Sequence, residues 1–221
     1  MAVLLVQAPL VALLMCIVFK DQSPQDVLTV LFLLGFVSLW FGVNNSAREI
    51  VGELALLRRE KRAELNTAAY LGSKIVGQGF ITFLQVALML AVTLGMLDHI
   101  HLDFGPALAV CWSVSLVGIA IGLALSSTVK TQIAAVVAVP LILIPVILLG
   151  GLIKPYPDMK GAVKLLADVT PVRWSFDMLT ALCHNVPEDF FNGAGWVAGS
   201  FYLAIVFALM VAWSLYRLKR V

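Results

Sequence analysis

Few residues in this sequence could do chemistry. His99 and His101 stand beside Asp98 and Asp103, so two imidazoles and two carboxylates fall within six residues. These are metal-ligand types, but a short solvated loop has the same composition. The solvated turn is the plainer reading, and no metal site is expected. His184 reads as a surface residue. A membrane zinc protease would need H-E-x-x-H, and a serine protease a buried His beside a Ser; the first is absent and every His lies outside the apolar runs. The phosphate-cradling motif G-x-x-x-x-G-K-[ST] is missing too, so the chain is expected neither to hydrolyse ATP nor to bind a cofactor itself. Cys16, Cys111 and Cys183 are scattered and read as small buried hydrophobes. From an outer loop, Cys183 could still cross-link two copies.

The remaining polar chemistry is concentrated in residues 44–74. Asn45 or Ser46 can cap a helix there, with Glu49 at capping-box distance from Ser46. At 100° per residue, Glu49, Glu53, Glu60 and Glu64 fall within an arc of about 60°. Ile50, Leu54, Leu57 and Leu65 occupy a neighbouring face, with Arg58, Arg59, Lys61 and Arg62 behind. Like charges at i and i+4 repel by a few tenths of a kcal/mol, so the acidic stripe asks for a partner. A membrane-surface helix whose arginines meet anionic lipid is the other reading.

The elements that position this segment follow from composition. Of 221 residues, 61% are hydrophobic and 13% charged, against about 25% charged in a soluble domain. Apolar runs at 2–19, 27–43, 75–96, 106–125, 133–153 and 195–216 each approach the about 20 residues that a bilayer span requires. The expected fold is all-α, with six transmembrane helices. An amphipathic connecting region at 44–74 follows the second span, and a re-entrant helical loop at 154–194 precedes the sixth. All 221 residues then form one membrane domain. The first run lacks a basic n-region and an A-x-A-like cleavage site, so it reads as a span and not as a signal peptide. With that span starting at residue 2, further protein is expected upstream or alongside.

Placing both termini in the cytoplasm puts ten Lys and Arg inside and five outside, in line with the positive-inside rule. The localisation expected is the plasma or inner membrane. A net charge of +2 gives no footprint for nucleic acid. The spans contain no Asp, Glu, Lys, Arg or His; their polar residues, Gln7, Ser38, Gln78, Thr82, Gln85, Thr93, Ser113 and Ser115, read mostly as interhelical hydrogen-bond formers. Proton-driven transport usually places ionisable groups inside the spans. Energy for any uphill movement must therefore enter from outside the bilayer.

Three stretches carry a family likeness. These are Asn44-Asn45-Ser46-Ala47-Arg48-Glu49-Ile50-Val51-Gly52-Glu53 continuing through Arg58-Arg59-Glu60-Lys61 to Ala69-Tyr70-Leu71-Gly72-Ser73-Lys74; Val129-Lys130-Thr131 with Pro140, Pro145 and Gly150-Gly151-Leu152-Ile153; and Thr170-Pro171-Val172-Arg173-Trp174-Ser175-Phe176-Asp177. In this order the sequence resembles the transmembrane domain of ABCG-like (type-2) ABC exporter permeases over nearly its whole length. The resemblance implies a dimer of two permease copies in membrane lipid, driven by an ABC nucleotide-binding domain or subunit that carries ATP and Mg. It implies coupling to that ATPase through Glu49, Glu53, Arg58, Arg59 and Glu60. It also implies a substrate pathway lined by Ser38, Phe41, Ile144 and Ile147, closed outwardly by a plug of Leu152 and Ile153. Asp177 stands where the family has Glu, Lys61 where it has Arg, and Glu64 where a Gly often breaks the connecting helix. The function implied is ATP-driven export of an amphipathic or lipid-like substrate by alternating access. The other reading is a non-transporting scaffold that recruits a cytosolic partner or lipid through residues 46–65.

Overall fold

The computed structural model describes residues 2–20, 24–61, 66–98, 100–154, 156–183 and 196–220. Among them there is no strand. The helices are α1 (Ala2–Val18), α2 (Pro24–Ser46), α3 (Glu49–Lys61), α4 (Thr67–Met96), α5 (Phe104–Thr128), α6 (Gln132–Leu149), α7 (Ala162–Asp168), α8 (Pro171–Leu182) and α9 (Trp196–Arg220), with a 3₁₀ turn at Tyr156–Asp158. By length and composition five segments could cross a membrane, those containing α2, α4, α5, α6 and α9. The apolar α1, at 17 residues, is shorter.

The hub is α5, which packs against α2, α4, α8 and α9. Its sequence explains that position: Gly118, Ala120, Gly122, Ala124 and Ser126 leave little side chain between backbones, and all are buried. A Cβ on Gly118 would collide with the Leu39 carbonyl of α2, and one on Gly42 of α2 with the Ser115 carbonyl of α5. This small-residue contact lets two helices approach where lipid supplies no hydrophobic drive for association. Gln85 and Thr82 of α4 form buried hydrogen bonds to Asn45 and Ser115, as interhelical polar groups in spans are expected to do.

Around this hub α6 is loosely held. Its buried residues are Ala135, Val139, Leu143 and Val146, a single stripe, and Pro140 and Pro145 lie on its uncovered side. The helix ends at Gly150, followed by Gly151 at φ +98°, a backbone conformation that favours glycine. The chain then returns through α7 into α8. Within the expected helical loop at 154–194, the described residues form α7 and α8, and α8 is packed inside the bundle. Nine of its twelve residues are buried among α2, α5 and α9, with Ser175 against Gly35.

The start of α4 differs most from the sequence reading. The helix expected from 75 starts at Thr67, because the Asn66 side chain accepts hydrogen bonds from the amides of Ala68 and Ala69. The region 44–74 is therefore divided between the end of α2, α3 and the first turns of α4. Residues 62–65, with Glu64 and Leu65, lie outside the described residues. Cys16, Cys111 and Cys183 are all buried, so Cys183 is not presented for cross-linking.

Candidate functional site

The candidate site forms where α2 gives way to α3. Ser46 does not cap α3: its hydroxyl donates to the Gly42 carbonyl at 2.6 Å and lies 3.1 Å from the Ile119 carbonyl of α5. The first amides of α3 are taken up from across the bundle. Ser126 Oγ of α5 accepts from the backbone N–H groups of Ile50 and Val51, each at 3.0 Å, satisfying donors that a helix start leaves free. The apolar face read from the sequence packs here. Ile50 and Leu57 are buried with Leu71, Ile119, Leu123 and Leu218, and Leu54 lies against them.

Beside that face, Glu49 and Glu53 meet α4. Lys74 Nζ donates to Glu49 Oε2 at 3.0 Å and to Glu53 Oε1 at 2.6 Å. Tyr70 Oη donates to Glu53 Oε2 at 2.8 Å, and Gln78 Nε2 to Glu49 Oε1 at 2.8 Å. All four carboxylate oxygens thus receive a donor from one stripe of α4, residues 70, 74 and 78, spaced i, i+4, i+8. The first two carboxylates of the acidic stripe find their partners inside the chain, while the side chains of Glu60 and Glu64 lie outside the described residues. Side-chain exposures of 19% for Lys74, 29% for Glu49 and 39% for Glu53 place the cluster between buried and solvated.

A second polar relay runs behind it. Asn45 Nδ2 donates to Gln85 Oε1 at 2.7 Å, and Gln85 Nε2 to the Leu4 carbonyl of α1 at 2.7 Å. Asn45 Oδ1 and Gln78 Oε1 remain buried without a donor, a state that costs about 1–3 kcal/mol per group. Both residues line a cavity of about 470 Å³ shared with Arg48, Glu49, Glu53 and Gln132.

Beyond the opposite end of α6, a separate cluster fixes the returning loop. The guanidinium of Arg173, 3% exposed, donates to Asp168 Oδ1 at 2.7 Å and lies 3.4 Å from Asp177 Oδ2. It stacks 3.6 Å from the Tyr156 ring centroid and 4.4 Å from that of Trp174. Burial, together with the Tyr156 hydroxyl's bond to Asp168, pushes the Tyr156 phenol above its ordinary pKa.

The residues singled out by sequence fall in several places. Glu49 and Glu53 are joined at α4, Arg59 is exposed on α3, and Arg58 and Glu60 belong to α3 with side chains outside the description. Ser38 and Phe41 are fully buried in the chain's interior, Ser38 donating to the Leu34 carbonyl at 2.6 Å. The half-open stripe of α2 is instead Thr29, Leu33, Phe36, Trp40 and Asn44. On α6, Ile144 is 56% exposed and Ile147 half-buried. Leu152 packs against the core and Ile153 is 64% exposed. Of the H-x-H loop, His99 lies outside the described residues. Sequence reasoning missed Tyr70, Lys74 and Gln78 as the partners of the stripe, and Ser126 as its cap. Their i, i+4, i+8 spacing, matching that of Glu49 and Glu53, was the available signal.

The charged helix α3 is thus clamped onto helices long and apolar enough to cross a membrane. Comparison with known families decides the class. The pattern of the ABC-2 type transporter matches residues 2–183. The chain belongs to the ABC-2 type transporter family. It is also 28% identical over 166 residues to the ABC transporter ATP-binding/permease protein Rv1747 of Mycobacterium tuberculosis (strain ATCC 25618 / H37Rv), covering 70% of this chain and 19% of that protein. The chain thus spans about a fifth of that relative's length. As a member of this family it is an integral membrane component of a transporter. The α3–α4 clamp and the Arg173 cluster both lie within the matched region.

Proposed function

We propose that this ABC-2 domain is the permease of an ATP-driven exporter that moves an amphipathic or lipid-like substrate by alternating access, as a dimer of two permease copies. ATP and Mg are held by an associated ABC nucleotide-binding domain or subunit. The observation that carries this reading is α3, a charged helix fastened to α4 by Lys74 and to α5 by Ser126, joined to long apolar helices. No charged side chain falls within residues 27–43, 75–96, 106–125 or 133–149, so the pathway offers no fixed ion for a proton or a charged solute. In this reading six helices span the bilayer, α1 included, both termini and α3 face the cytoplasm, and α7 and α8 face outward. Glu49, Glu53, Arg58, Arg59 and Glu60 transmit the movement of the ATPase. The pathway lies between α2 and α6, with Ile144 and Ile147 on its wall and Leu152 and Ile153 at its outer end. On α2 the half-open stripe through Leu33, Phe36 and Trp40 takes the lining role, and Ser38 and Phe41 support it from behind.

The test is reconstitution of the chain with its nucleotide-binding component in proteoliposomes. ATP-dependent movement of a labelled lipid, glycolipid or hydrophobic drug across the bilayer is the expected result. A coupled ATPase that moves none of these, yet moves a small hydrophilic solute, would overturn the substrate class.

A further inference from the structure

A helix on a folded chain ordinarily turns its apolar side inward, and α7 does the reverse. At 100° per residue, Leu165, Leu166 and Val163, with Val169 directly after the helix, cover an arc of about 160°. They are 71%, 56%, 42% and 68% exposed. The side turned to the protein is narrow, for Ala167 is the one buried residue of α7. Ile153, earlier in the same return segment, is exposed as well.

The helix cannot rotate this face inward, because its C-terminal end is fastened. Asp168 Oδ1 accepts from Arg173 and from the Tyr156 hydroxyl, and the Asp168 carbonyl accepts from Trp174 Nε1 at 2.9 Å. The Ala167 carbonyl accepts from Thr170 Oγ1 at 2.7 Å, and the Val169 carbonyl from the Tyr202 hydroxyl. The outward apolar face is therefore fixed, and contiguous exposed apolar surface marks a place where something else binds.

The charges around it select the occupant. Lys154, Lys160 and Lys164 are exposed on this segment, and none forms an ion pair among the described residues. Lys164 Nζ lies 4.6 Å from the Tyr156 ring centroid. The neighbouring carboxylates are Asp158, which is exposed, and Asp168, already occupied by Arg173 and Tyr156. Apolar side chains with flanking lysines suit a bilayer interface, where the former enter the acyl region and the latter meet phosphates. A second copy is a poorer occupant: a two-fold contact sets the same patch on both sides and would bring these lysines toward their own counterparts.

We propose that α7 is an interfacial anchor that docks on anionic phospholipid, with Leu165, Leu166 and Val169 among the acyl chains and Lys160 and Lys164 at the headgroups. The leaflet it meets rests on the outward orientation of α7 in the proposed exporter; the docking itself does not.

The test uses the full chain in nanodiscs with a fluorophore on Leu165→Cys or, as a reference, on Asp158→Cys. Both positions are exposed, and the native cysteines are buried. Nitroxide-bearing lipid is expected to quench the label at 165, and aqueous iodide the label at 158. At low mole fraction, nitroxide phosphatidylglycerol should quench at 165 at least about fivefold more efficiently than nitroxide phosphatidylcholine, the fold-change that one lysine near an anionic surface implies. Lys160→Gln combined with Lys164→Gln should abolish most of that preference. Iodide quenching at 165 equal to that at 158 would place the face in water, and quenching by neither agent would place it under protein; both overturn the proposal, as do equal quenching by the two lipids and a preference that survives the double replacement. Labelling of Lys160→Cys by an impermeant maleimide in sealed proteoliposomes separates the two readings. Reaction only from the side of the nucleotide-binding component would refute the outward orientation and leave the lipid docking intact.

Discussion

Replacing Lys74 by Gln should release α3 from α4 without dismantling the bundle. Two charge-assisted hydrogen bonds are lost, to Glu49 at 3.0 Å and to Glu53 at 2.6 Å. Hydrogen bonds to charged groups contribute about 1.5–3 kcal/mol when shielded, and exposed ion pairs about 0.2–1 kcal/mol. With the three side chains between a fifth and two-fifths exposed, about 1 kcal/mol per bond is appropriate after solvent screening. Unscreened repulsion between Glu49 and Glu53, at i and i+4, adds a few tenths. The sum, about 2 kcal/mol, raises the undocked population of α3 roughly 30-fold. Hydrogen exchange of the full chain in nanodiscs reads this directly as faster exchange of the amides of α3, with those of α5 unchanged. The Ile50 and Val51 amides should respond least, since Ser126 still holds them. Glu53→Lys combined with Lys74→Glu should restore part of the protection. Unchanged exchange in α3 would refute the clamp, and equal acceleration in α3 and α5 would show that Lys74 serves global stability instead.

Two further outcomes follow from the packing. Arg173→Met leaves Asp177, 6% exposed, without its cation; removing one partner of a buried pair costs about 3–5 kcal/mol, so thermal unfolding should occur far below that of the wild type, while Arg173→Lys, which keeps charge but loses the planar stack, falls between. Gly118→Ala, whose Cβ would strike the Leu39 carbonyl, should destabilise by about 1–3 kcal/mol through overpacking, whereas Gly72→Ala, with open space around it, should be neutral or stabilising by up to about 1 kcal/mol; similar melting shifts for the two would contradict the close α2–α5 contact.

The apolar runs were legible because hydrophobic length is a one-dimensional property: each run read from composition contains a helix, although the one read as 133–153 is helical only to Leu149. The apolar face Ile50–Leu54–Leu57 was equally legible from its period, and it is buried as its spacing requires. Orientation about a helix axis was less so. Ser38 and Phe41 lie at i and i+3, which defines a stripe but not the neighbour it faces, and the stripe faces the interior. A span that is hydrophobic all round carries little moment to indicate which side meets protein and which side is open. The acidic stripe illustrates the converse. Repulsion correctly demanded a countercharge, yet the sequence does not say whether it comes from another protein or from a lysine 21 residues away. Ser126 could not be identified as a cap at all, since it lies 75 and 76 residues from the amides it serves.

These attachments also decide where such a permease can open. Continuous with α2 through a short turn, α3 is fastened to α4 by Lys74 and to α5 by Ser126, and α2 and α5 meet backbone to backbone at Gly42 and Gly118. Bistable movement requires an interface that can be repacked, and close-packed backbones are poor candidates. A force on α3 therefore moves α2, α4 and α5 together. By contrast α6 touches this block through one stripe of four buried residues and approaches α3 at Gly52, where Gln132 Nε2 would lie 3.1 Å from an added Cβ. The weak seam is the one between α6 and the rest. In the proposed export cycle, opening occurs along that seam, and Gly151, at φ +98° beyond the end of α6, supplies the backbone freedom to absorb it.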